Sequence, residues 1–128
     1  MRVQSLDHLV LTVADVEASA IFYGRVLGMQ KVIFGGNRVA LQFGRQKINL
    51  HPAKAPLQPH ALQPTPGSAD LCFVSDRGLA DWIRHLSVCA VAVEAGPVER
   101  TGAQGPMTSI YFRDLDGNLI EIAHYREA

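Results

Sequence analysis

Side chains able to carry protons or bind metal fall at matching places in the two halves of this 128-residue chain. His8 lies in Leu6-Asp7-His8-Leu9-Val10-Leu11, and Asp70 holds the equivalent place in Ser68-Ala69-Asp70-Leu71-Cys72-Phe73. Late in each half, Lys47-Ile48-Asn49-Leu50-His51 echoes Asn118-Leu119-Ile120-Glu121-Ile122, with Asn49 aligned to Glu121. His51 follows Asn49 by two residues and so shares its side of an extended strand. Imidazoles and carboxylates are the usual general acids and bases and also ligate divalent ions. Taken singly, a strand His, or a Glu between Ile120 and Ile122, reads as a surface or hydrogen-bonded core residue. Their recurrence on matched strands is what points to a shared cavity.

The elements that must position them follow from periodicity. Leu6 to Val13 reads as a strand with His8, Val10 and Thr12 on one face. Asp15 is the expected N-cap of a helix running to about Leu27, with Gly28 as its stop. Gly35-Gly36-Asn37 joins strands from Lys31 to Phe34 and from Arg38 to Phe43, and a third strand runs from Gln46 to His51. Residues 52–67 hold five of the seven prolines and read as an extended linker.

The second half repeats the order. A strand from Ala69 to Val74 precedes a helix carrying Leu79, Trp82, Ile83 and Leu86, capped by Ser75 or Asp76. A strand from Val91 to Glu94 is expected next, then a loop from Gly96 to Pro106. Thr108 to Arg113 and Asn118 to His124 form a closing hairpin around Asp114-Leu115-Asp116-Gly117. A period of roughly sixty residues is too long for a solenoid unit. The expectation is an α+β fold of two tandem βαβββ modules in a single domain over 1–128. Module one spans about 4–51, the linker 52–67 and module two about 68–125.

Hydrophobic residues at 48% and charged residues at 19% fit an ordinary globular domain. Twelve basic and twelve acidic residues cancel and leave no basic stripe, which argues against nucleic acid as a partner. The apolar runs are too short for a bilayer, which argues against a membrane partner. The N-terminus lacks the apolar stretch of a signal peptide, so a cytoplasmic location is expected. Cys72 and Cys89 read as reduced, buried structural thiols.

Three stretches carry a family resemblance: Asp7-His8-Leu9-Val10-Leu11-Thr12-Val13, Phe22-Tyr23-Gly24-Arg25-Val26-Leu27-Gly28-Met29, and Tyr111 through Glu121. Together they resemble the vicinal oxygen chelate superfamily of glyoxalases, bleomycin- and fosfomycin-resistance proteins and extradiol dioxygenases. The stretch from Pro97 to Glu121 is most similar to the small glyoxalase-domain-containing-protein-5 subgroup. The resemblance implies that each module curls into a half-barrel. It also implies a divalent metal ion (Ni, Mn, Fe or Zn) held by the first and last strands, where it chelates two substrate oxygens.

His8 and Glu121 map onto ligand positions. Asp70 stands where many members carry His, and His51 reads as a ligand, a general base or a pocket wall. Glu121, or else His51, is the base candidate. Arg100, Thr101, Ser109 and Tyr111 are candidates for orienting the substrate. His124, on the face opposite Glu121, and His60, in the linker, are set aside.

The leading function implied is a metal-dependent lyase or isomerase of glyoxalase type acting on a small oxygenated substrate. One alternative is an Fe-dependent extradiol-type dioxygenase using His8, His51 and Glu121. Another is a metal-free, bleomycin-resistance-like binding protein. A homodimer is expected, swapped or unswapped.

Overall fold

The computed structural model describes residues 1–126. The chain forms two compact units, Met1–Gly67 and Ser68–Ala128. Each is a βαβββ module, so the fold is α+β, as the repeat predicts.

In unit 1 the order is β1 (His8–Val13), α1 (Val16–Leu27), β2 (Gln30–Phe34), β3 (Arg38–Phe43) and β4 (Gln46–Pro52). The sheet runs β1-β4-β3-β2, with β1 and β4 parallel and the other pairs antiparallel. A parallel pair needs a long crossover, and α1 with β2 and β3 supplies it. The Asp15 carboxylate accepts the Ala18 N–H at 3.0 Å, and Gly28 closes the helix at φ 69°. A cap of this kind contributes about 1 kcal/mol. Leu11, Val13, Val39, Leu41, Ile48 and Leu50 are buried on one sheet face, where α1 adds Ala20, Tyr23 and Val26. This leaves His8, Val10, Thr12, Asn49 and His51 on the other face.

Unit 2 repeats the plan with β5 (Asp70–Val74), α2 (Leu79–Val88), β6 (Ala95–Gly102), β7 (Gly105–Arg113) and β8 (Leu119–Tyr125), in the sheet order β5-β8-β7-β6. Ile110, Phe112, Ile120 and Ile122 are buried on the face whose strands contact α2, together with Leu86 of the helix.

Two expectations fail here. Residues 91–94 are not a strand; the strand is β6, in the stretch read as a loop, and β7 starts earlier than Thr108. Pro97 and Gly96 gave the loop reading, but β6 is an edge strand, where a missing N–H is tolerated. The register shifts between Ala95 and Val98, and Gly96 sits there at φ 98°. A Cβ at Gly96 would collide with the Ser109 carbonyl oxygen, so glycine lets the edge lie against β7. The second failure is the cap of α2, which is Gly78 without a side-chain bond. The Ser75 hydroxyl instead accepts from the Arg77 N–H at 3.0 Å and the Trp82 Nε1–H at 2.8 Å.

A buried network fixes the β7–β8 turn. Asp114 Oδ1 accepts the N–H groups of Asp116 and Asn118 at 3.0 and 2.9 Å. Asn118 Nδ2 donates to Asp114 Oδ2 at 2.8 Å, and Asn118 Oδ1 accepts the Ala69 N–H at 2.9 Å. The last bond ties the turn to the residue before β5 and so sets Asp70 beside β8. Among the described residues, no helix is long and apolar enough to cross a membrane.

Candidate functional site

The parallel ladder of each unit sets the candidate residues side by side. In unit 1, His8 lies opposite Lys47, Val10 opposite Asn49 and Thr12 opposite His51. In unit 2, Asp70 lies opposite Leu119, Cys72 opposite Glu121 and Val74 opposite Ala123. The two registers superimpose. His8 and Asp70 hold one structural place, Asn49 and Glu121 a second, and His51 and Ala123 a third. All lie on the face away from the helix.

His8 is exposed, and its Nδ1 is 2.8 Å from the Asp7 carboxylate. In the tautomer that donates from Nδ1 to Asp7, Nε2 is left with a free lone pair. This is the arrangement a carboxylate gives to a metal-binding imidazole. Asp70 is exposed and Glu121 half-buried, with Cys72 between them on the same face. Cys72 is exposed rather than buried, contrary to expectation, whereas Cys89 is buried; neither forms a disulfide. Desolvation first, then the Glu121 charge and its hydrogen bond, and then the Asp70 charge push the Cys72 thiol up to about 11.

Tyr111 is the ladder partner of Glu121 on β7, and its hydroxyl accepts the Arg100 Nε–H at 2.8 Å. Ser109 is fully buried opposite Ala123, and its hydroxyl finds no partner among the described residues. Thr101 pairs with Pro106, one step beyond the Arg100–Met107 pair, and so falls on the opposite face. Of the four substrate-orienting candidates, Arg100, Ser109 and Tyr111 share the Glu121 face and Thr101 does not. His124 lies on the helix side, with its Nδ1 2.9 Å from the Ser75 carbonyl oxygen.

His51 departs most from a simple ligand reading. It is 4% exposed, and neither ring nitrogen has a hydrogen-bond partner among the described residues. Burial first, then the Arg38 and His60 charges, hold its pKa below the ordinary histidine value, so it favours the neutral form. It lines a cavity of about 420 Å³ with Val10, Pro59, His60 and Ala61. His60, set aside on sequence, is thus a wall of the cavity and a neighbour of His51. Its ring is held within the linker, Nε2 by Gln58 at 3.1 Å and Nδ1 by the Ala61 carbonyl at 2.8 Å. Four residue steps separate His51 from His8 along the paired strands, about 13 Å at ~3.3 Å per residue. They are therefore not neighbouring ligands of one ion within unit 1.

Imidazole and carboxylate donors suit a divalent ion in type, and His8, Asp70 and Glu121 stand at three of the four matched places that the family resemblance marks for ligands. Asn49 fills the fourth with an amide. Among the described residues, no three His, Cys, Asp or Glu side chains are grouped so as to hold an ion.

Paired βαβββ units with polar side chains on the free faces of their first and last strands define a family. The chain belongs to the Glyoxalase/Bleomycin resistance protein/Dioxygenase superfamily, whose model matches residues 5–122. The glyoxalase domain-containing protein RDO1 of Mycosarcoma maydis is 52% identical over all of this chain and 72% of its own length. The virulence protein STM3117 of Salmonella typhimurium is 50% identical over 98% of this chain and 87% of its own length. Among solved structures, the integron cassette protein VCH_CASS1 from the V. cholerae mobile metagenome is 53% identical. It superimposes with a TM-score of 0.96 over 98% of both chains.

Proposed function

We propose that this protein is a metal-dependent lyase or isomerase of glyoxalase type acting on a small oxygenated molecule, with Asp70 and Glu121 as the candidate metal ligands of unit 2 and His8 as that of unit 1. The observation that carries the reading is the shared register, which gives His8 and Asp70 one structural place and Asn49 and Glu121 another. When bound, a divalent ion polarises substrate oxygens as a Lewis acid. The chain's own groups do the rest. Glu121 takes up a proton and returns it to the adjacent carbon, with the Cys72 thiol as its hydrogen-bond partner. Tyr111, steadied by Arg100, faces the same space and orients the substrate.

The extradiol alternative is weaker, because a facial set needs adjacent His ligands and the ladder separates His8 from His51. A second reading, a metal-free small-molecule binding protein, is favoured by Asn49 at the fourth ligand place and by the unpaired polar atoms beside it.

Elemental analysis of the purified protein beside His8→Ala and Glu121→Ala variants tests the proposal. Stoichiometric divalent metal that is lost in both variants is the expected result. A metal-free wild type that also fails to take up added Mn²⁺, Fe²⁺, Ni²⁺ or Zn²⁺ sinks the lyase reading and leaves the binding protein. Oxygen uptake with a catechol would instead support the dioxygenase.

A further inference from the structure

Unit 1 buries polar atoms that the fold does not satisfy, and they lie together on one face. Both ring nitrogens of His51, the Asn49 Oδ1 and the Arg38 Nε are buried and find no hydrogen-bond partner among the described residues. Arg38 lies one step beyond the Val39–Leu50 pair, across from His51, and Asn49 lies opposite the cavity residue Val10. A folded protein rarely leaves such groups unmet, since each unsatisfied one costs as much as a lost hydrogen bond or more. Of these residues His51 lines the cavity, together with Val10 and the linker residues Pro59, His60 and Ala61, and Asn49 and Arg38 share its sheet face beside those lining strands.

The charge around them is one-sided. From Ala18 to Ala69 the chain contains no Asp or Glu. Up to Gly67 there are seven Lys and Arg against three Asp and Glu, and beyond it five against nine. The overall neutrality therefore conceals a basic unit and an acidic one. On the free face of unit 1, Lys47 and Arg38 both lie over the Phe34 ring, at 3.9 and 4.7 Å from its centre. Nothing acidic in the strands opposes them.

We propose that this cavity binds a small carboxylate bearing a neighbouring hydroxyl, with Arg38, His51 and Asn49 as its polar contacts. The donor and acceptor inventory sets this class. The Arg38 Nε–H and one His51 N–H are free donors that a carboxylate accepts. The Asn49 Oδ1 and the other His51 nitrogen are free acceptors, one of which the single proton of a hydroxyl can serve. Val10, Pro59 and Ala61 supply the apolar wall common in small-ligand sites. The inference rests on the small-molecule reading above only for the use of this face. It needs no metal ion, and His51 lies about four residues, ~13 Å, from His8 along the ladder.

The test is titration of the full chain, in the presence of a chelator, with glycolate, acetate and glycolamide. Affinity and the ¹⁵N shifts of the His51 ring are followed together. Glycolate should saturate and move the His51 resonances, while acetate, lacking the hydroxyl, and glycolamide, lacking the charge, bind roughly tenfold more weakly. Arg38→Gln should weaken glycolate by a similar factor, with the thermal midpoint confirming the fold. Absence of saturation, or equal binding of glycolate and glycolamide by the wild type, overturns the proposal whatever the variant does. Glycolate binding by a protein that takes up no metal would leave this inference standing and remove the lyase reading. Metal uptake lost with His8 and Glu121, without glycolate binding, would do the reverse.

Discussion

The Cys72 thiol is exposed to reagents, yet desolvation and, after it, the charges of Glu121 and Asp70 keep it protonated. Only the thiolate is strongly nucleophilic, so iodoacetamide labelling of Cys72 should be slow at pH 8 and climb towards pH 11. Glu121→Gln removes a charge and an acceptor beside the sulfur and should move the labelling midpoint to lower pH. A midpoint that stays in place would show that Glu121 does not face the thiol. His51 makes the opposite kind of prediction. Its folded pKa lies below the unfolded value of about 6.5, so below that pH the unfolded chain binds the proton first. Stability should therefore fall as the pH drops below about 6.5 and not depend on His51 above it. Urea midpoints at neutral and mildly acidic pH, for wild type and His51→Gln, read this directly: the variant should lose part of the acid-side decline. The matching places of His8 and Asp70, and of Asn49 and Glu121, were legible because the repeat supplied two copies of one pattern. Arg38 was missed because a basic residue at a strand start reads as surface. The signal was its parity: counting across the hairpin sets it on the face of Asn49 and His51.

At the scale of elements, the turn after β7 holds the candidate residues of unit 2 in register. Asn118 is 1% exposed and makes two side-chain bonds, to Asp114 and to the Ala69 N–H. Asn118→Ala removes both and leaves buried groups unmet, which should cost about 2–4 kcal/mol in a urea titration. A change under about 0.5 kcal/mol, the range of a neutral surface substitution, would contradict the network. Both helices, the Gly35-Gly36-Asn37 hairpin and the Asp-Gly turn were readable from the sequence because local chemistry dictates them. Residues 95–102 were not. Glycine and proline speak for a loop locally, and only the neighbouring β7 makes an edge strand of them. Gly96→Ala should accordingly destabilise unit 2, since φ 98° and the Ser109 carbonyl both exclude a side chain.

For the whole molecule, the two units keep one architecture while their chemistry has diverged. Unit 1 offers imidazoles, an amide and a guanidinium on an acid-free face; unit 2 offers carboxylates, a thiol and a phenol. The architecture also governs how the chain can be made. In each sheet the last strand lies inside, β4 between β1 and β3, and β8 between β5 and β7. During synthesis, β5 must therefore wait without a partner until Leu119–Tyr125 has emerged, while β6 and β7 can already pair with each other. A chain stopped just before Leu119 loses the strand around which the second sheet is assembled, not a dispensable tail. Its second half should show no cooperative melting, while the first, whose own closing strand is complete by Pro52, has already had the chance to fold.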